Sequence, residues 1–136
     1  MKIYFEASIR GGRGEQSIQA EIISLLSHHG QVLTEHVGDA SLTSVGENKA
    51  SEHIFERDVA WLEEADAVVA EVTMPSLGVG YEIAKAESLQ KKILCVYRPS
   101  DDRHLSAMID GNPALTTQQY AQVGDLKQIF DKFFKR

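Results

Sequence analysis

The segment Ala67-Val68-Val69-Ala70-Glu71-Val72 is separated only by Thr73-Met74 from Pro75-Ser76-Leu77-Gly78-Val79-Gly80-Tyr81-Glu82. A short continuous apolar run followed by a turn and a helical period describes a buried strand feeding a helix, the unit from which parallel sheets are built. Glycines between a strand and a helix commonly cradle a phosphate. This turn also brings a carboxylate, Glu82, to the start of the helix, where the helix dipole favours an anion.

Outward from that unit the alternation repeats. Strands are predicted over residues 2–7, 31–35, 66–72, 92–97 and 118–123, and helices over 15–29, 51–64, 77–90 and 125–135, with a short helical turn near 104–109. The polar, glycine-bearing stretch 37–50 is predicted as a loop. Strand–helix alternation implies a parallel sheet covered on both faces. The expectation is an α/β fold: a five-stranded parallel sheet of flavodoxin-like or Rossmann-like order in a three-layer αβα sandwich. Ligands are then expected at the carboxyl ends of the strands near the topological switch point.

A chain of 136 residues, 43% hydrophobic and 25% charged, suits one core and not two, so 1–136 is expected to be a single domain. No segment approaches the 18 or so consecutive apolar residues of a membrane span. The strand-like run Lys2-Ile3-Tyr4-Phe5 begins at once, so no leader is expected and the chain is placed in the cytosol or nucleus. A net charge of −6 argues against a partner that is a nucleic-acid polymer. The single cysteine, Cys95, lies in the apolar run Ile93-Leu94-Cys95-Val96 and is expected to be a buried thiol. Without clustered His or Cys ligands no metal is expected, and no cofactor.

Two carboxylates stand out of register. On the helix 51–64, Ile54, Trp61, Leu62 and Ala65 define an apolar stripe with Asp58 in its middle. On the next helix, Val79, Ile83, Ala86 and Leu89 define the inward face and Glu82 falls between them. Each alone could be a buried ion pair or a stripe edge tilting to water. Together, on consecutive helices beside one strand, they suit cleavage of a glycosidic bond, where one carboxylate attacks or stabilises the sugar carbon and the other protonates the leaving group. The position near a helix start favours Glu82 as nucleophile, leaving Asp58 as the acid, its proton retained by burial.

Ser8-Ile9-Arg10-Gly11-Gly12 follows the first strand and offers a hydroxyl, a guanidinium and free backbone N–H groups, a nest for a phosphate or simply a turn. A Gly-x-x-x-x-Gly-Lys sequence is absent. Tyr4 alternates onto the face of Ser8, facing the same crevice or the core. Glu35 and His36 close the second strand, and His36 is read as a base, a ring-stacking contact or a loop histidine. Trp61 is expected in the core, and Ser106 only in a short helix suited to dimer packing.

With these segments, and with Val32-Leu33-Thr34-Glu35-His36-Val37, Arg98-Pro99 and Leu105-Ser106-Ala107-Met108-Ile109, the chain resembles the 2′-deoxynucleoside 5′-monophosphate N-glycosidases of the nucleoside 2-deoxyribosyltransferase superfamily. The resemblance covers nearly the whole chain and weakens after about residue 110. It implies hydrolysis of a nucleotide to free base and 2-deoxyribose 5-phosphate, with Glu82 matching the nucleophile, Asp58 the acid and Tyr4 the phenol that holds the nucleophile. Ser8, Ile9, Arg10, Gly11, Ser76 and Gly78 match the substrate and phosphate cradle. Ser106 matches a serine supplied across a homodimer interface.

Glu6-Ala7 departs from the small residues, such as Cys-Gly, that the family tends to have there. A carboxylate at that point is expected to repel a phosphate dianion, by about 4 kcal/mol at roughly 4 Å and an effective dielectric near 20, or to reshape the sugar pocket. Two alternatives follow: a deoxyribosyltransferase acting on unphosphorylated nucleosides, and a catalytically weak nucleotide-binding module.

Overall fold

A computed structural model describes residues 1–9, 15–38 and 49–135. In chain order it contains β1 (Lys2–Ala7), α1 (Gln16–Leu26), β2 (Gln31–Val32), α2 (Ser51–Glu64), β3 (Ala67–Glu71), α3 (Leu77–Ser88), β4 (Lys92–Tyr97), α4 (Ala107–Asp110), β5 (Thr116–Gln119) and α5 (Leu126–Phe133). Short 3₁₀ turns lie at Glu35–Gly38 and Val123–Asp125. The strands form one sheet in the order β2-β1-β3-β4-β5, and every pairing is parallel. That is the flavodoxin-like order, with its switch point between β1 and β3.

Alternation along β1 divides the core. Ile3, Phe5 and Ala7 join Val69, Leu94 and Val96 against α1 and α5, where Ile22, Leu26, Leu126 and Phe130 are buried. Tyr4, Val68, Ala70, Ile93 and Cys95 meet Leu62 of α2 and Val79, Ile83 and Ala86 of α3 on the other face. The layers are thus α1/α5, sheet, α2/α3. Each fully buried large side chain contributes about 1.5–3 kcal/mol, and their even spread over both faces fixes strand register. Cys95 is buried, and burial pushes its thiol up to about 12.

Two strands end differently from their predicted bounds. β2 stops at Val32 because Thr34 replaces the ladder: its hydroxyl accepts from the Phe5 N–H at 2.9 Å and donates to the Phe5 carbonyl. One side chain closes the β1 edge, and the backbone is released into the 3₁₀ turn. β5 spans Thr116–Gln119 instead of 118–123, since the Asp125 carboxylate captures the Ala121 and Gln122 N–H groups at 3.1 and 3.0 Å and bends the chain into α5. Gly30 is required where β2 begins, because a Cβ there would collide with the Met1 carbonyl.

The two helices facing the switch point are tied at their far ends. Lys91, in the turn after α3, donates from Nζ to the carbonyls of Glu63 at 2.7 Å and Ala65 at 2.8 Å, satisfying the C-terminal end of α2. The turn itself passes through Gln90 at φ 58°, a left-handed conformation that glycine usually supplies. On the opposite face, buried Glu71 accepts from Thr73 N–H at 2.6 Å, Thr73 Oγ1 at 2.9 Å and Tyr120. Arg98 stands 3.9 Å from Glu71 and pairs with Glu15, which fastens the start of α1 to the ends of β3 and β4.

Candidate active site

A cleft of about 700 Å³ opens at the carboxyl ends of β1 and β3, between α2 and α3. Its wall includes Tyr4, Ile9, His36, Asp58, Ser76, Gly78 and Glu82, so the sheet and two helices bring together most of the residues singled out from sequence. Arg10 and Gly11 lie outside the described residues. Ser8 is buried next to the cleft without lining it, and its carbonyl accepts from Gln19 Nε2 at 3.2 Å. Glu35 is exposed at the start of the 3₁₀ turn and does not reach the wall. Ser106 caps α4, accepting from the Met108 N–H at 3.2 Å, away from this cleft.

The carboxylates have different surroundings. Glu82 is half-buried, and its Oε2 accepts from the Tyr4 hydroxyl at 2.7 Å. Tyr4 is 1% exposed, and burial, then the charges of Glu82 and Asp58, drive its phenol far above its usual range. Tyr4 therefore stays a hydrogen-bond donor, oriented by the core, with Glu82 as its acceptor. α3 begins at Leu77, which puts Glu82 in its second turn. The dipole acts chiefly within the first turn, so the orientation of Glu82 rests on Tyr4, a correction to the helix-start argument.

Asp58 is half-buried at the cleft and ion-paired with Arg57 at 2.8 Å. Arg57 lies 4.9 Å over the Trp61 ring and 3.4 Å from His36 Nε2. Trp61, expected in the core, is half-buried and serves as the platform for this guanidinium. Ser76 is the N-cap of α3, accepting from the Val79 N–H at 3.3 Å, and it lines the cleft. Gly78 lines the cleft with space where a side chain would stand; Gly80 does not reach it.

The surroundings of Glu6 weigh against the expected phosphate repulsion. Glu6 is 3% exposed, forms part of the cleft wall, and no described residue donates a hydrogen bond to either of its carboxyl oxygens. Burial, then a hydrogen bond to the adjacent Glu82 and the charge of that residue, raises it well above the ordinary 4.5. A shift in that direction favours the neutral acid, which carries no charge to repel a phosphate. Sequence reasoning also missed the cleft rim, where Phe55 and Tyr81 are half-exposed with ring centroids 6.3 Å apart. Their signal was present: Phe55 sits one helical turn before Asp58, on the same side of α2.

Among the described residues no cluster of metal-binding side chains occurs and no helix is long and apolar enough to cross a membrane. The chain is similar to the rat (Rattus norvegicus) protein named 5-hydroxymethyl-dUMP N-hydrolase, 49% identical over 98% of this chain and 84% of that protein. It is also similar to the Nematostella vectensis protein named putative 2′-deoxynucleoside 5′-phosphate N-hydrolase 1, 54% identical over 81% of this chain and 76% of that one. The solved Clostridium botulinum CMP N-glycosidase BcmB shares the fold, with a TM-score of 0.68 at 15% identity over 98% of this chain and 99% of that one. The family model described as nucleoside 2-deoxyribosyltransferase matches residues 3–124, and the protein belongs to that family.

Proposed function

We propose that the chain hydrolyses the N-glycosidic bond of nucleoside 5′-monophosphates by a two-step, retaining mechanism. The observation that carries the reading is the Tyr4–Glu82 hydrogen bond at 2.7 Å in a cleft shared with Asp58. The names of the relatives, N-hydrolases of deoxynucleotides, support the same substrate class. Glu82 attacks the anomeric carbon as the carbon–nitrogen bond breaks, and Asp58 passes a proton to the departing base. Water then attacks the glycosyl-enzyme, gives its proton to Asp58 and frees the sugar phosphate. Tyr4 holds one Glu82 oxygen so that the other points at the sugar. Ser8, Ile9, Arg10, Gly11 and Ser76 hold the phosphate, and Phe55 with Tyr81 flank the base.

The test is release of free base from a panel of nucleoside 5′-monophosphates. Glu82→Ala is expected to lower kcat by at least roughly 10³-fold, and full activity in that variant would sink the assignment. An added acceptor base separates hydrolysis from transfer, since transfer yields a new nucleotide and hydrolysis does not.

The second part of the proposal is a homodimer in which Ser106 completes the partner's phosphate site. Its support is the exposure of two large apolar side chains: Leu77, next to Ser76, is 97% exposed, and Met108, two residues after Ser106, is 80% exposed.

A further inference from the structure

The cleft contains one group that the proposed mechanism does not use. Glu6 lies on β1 between Tyr4, whose hydroxyl meets Glu82, and Ser8, at the phosphate end. All three side chains project from the same face of the strand. Substrate laid from the attacked carbon to the phosphate therefore passes its furanose over Glu6. Native proteins almost never leave a buried polar atom unsatisfied, and here no described residue donates to either carboxyl oxygen. The base is not the partner, because Asp58 and the rim pair Phe55 and Tyr81 belong to the helices across the cleft, away from the strand.

We infer that Glu6 reads the sugar: its carboxyl pairs with the 2′-hydroxyl of the bound nucleotide and extends the substrates of this cleft to ribonucleoside 5′-monophosphates. The inference rests on the hydrolase reading above. The 2′-carbon adjoins the carbon that Glu82 attacks, and Glu82 is the carboxylate whose charge acts most strongly on Glu6. With its proton turned to Glu82, the Glu6 carboxyl keeps an oxygen that accepts from the 2′-hydroxyl. A site built to bond a hydroxyl discriminates against the analogue lacking it, because its own buried group is then left unpaired.

The experiment compares kcat/KM for CMP, dCMP, UMP and dUMP in the native chain, Glu6→Ala, Glu6→Leu and Glu6→Gln. The ribo-to-deoxy ratio is expected to fall at least about tenfold in Glu6→Ala for both bases. Glu6→Gln keeps most of the ratio, since a carboxamide of the same shape is a neutral donor and acceptor. Glu6→Leu fills the space without polar atoms and replaces the alanine variant if that fails to fold. A ratio that moves by less than about threefold, or moves for one base only, overturns the inference. Hydrolysis of the deoxynucleotides with a flat ratio defeats the inference alone; release of base from none of the four defeats the hydrolase reading and the inference with it.

Discussion

At the scale of single residues, Glu6 makes stability depend on pH in an unusual direction. Its folded-state pKa is raised above the ordinary 4.5 by burial and then by Glu82, so between those two values the native state holds a proton that the unfolded chain releases. Stability is then full below the unfolded value and is lost as pH rises toward the folded one, with a slope of up to about 1.4 kcal/mol per pH unit. Glu6→Gln removes that titration. Denaturant unfolding from about pH 5 to about pH 8 is expected to show the native chain losing ground to Glu6→Gln as pH rises; parallel curves would refute it. The residue type and its departure from the family were legible in the sequence, and so was the face it shares with Tyr4. Its protonation was not, because that depends on how α2 and α3 close over the strand. Asp58 is the converse: its stripe position was readable, but its ion pair with the preceding residue, Arg57, follows from where Trp61 holds the guanidinium.

At the scale of elements, helical period located α1, α2, α3 and α5 well, because apolar spacing is decided by which face meets the sheet. Strand ends were less legible, since Thr34 and Asp125 end β2 and β5 with side-chain hydrogen bonds that have no periodic signature. Gln90 likewise gives no warning of its left-handed backbone, a place where glycine would have been the signal. The Lys91 tie carries a prediction about α2 and α3 together. Asp58 and Glu82 each lie about six residues from the tied ends, some 9 Å along the axis. A rotation of about 5° there moves each carboxylate by nearly 1 Å, and displacements of that size cost up to about 10²-fold in rate. Lys91→Met is expected to lower kcat about tenfold with little change in KM and with a native far-UV spectrum. An unchanged kcat would show that the tie does not set the carboxylate geometry.

At the scale of the whole molecule, the dimer proposal has a test that needs no structure. Glu82→Ala and Ser106→Ala chains, each weakened alone, are mixed and allowed to exchange subunits. If Ser106 serves the partner's cleft, each mixed dimer contains one intact site, and about a quarter of the sites in an equimolar mixture recover activity. No recovery, with exchange verified by mass, would place Ser106 outside the partner's site. The architecture also restricts how copies of this chain can meet. One edge of the sheet is β2, which offers two residues of backbone, and beyond it the β1 edge is occupied at Phe5 by the Thr34 hydroxyl. The opposite edge, Thr116-Thr117-Gln118-Gln119, carries no apolar side chain. Strands so short or so polar make poor templates for an incoming strand. The edges of the sheet therefore offer little to fibre-like addition of further strands.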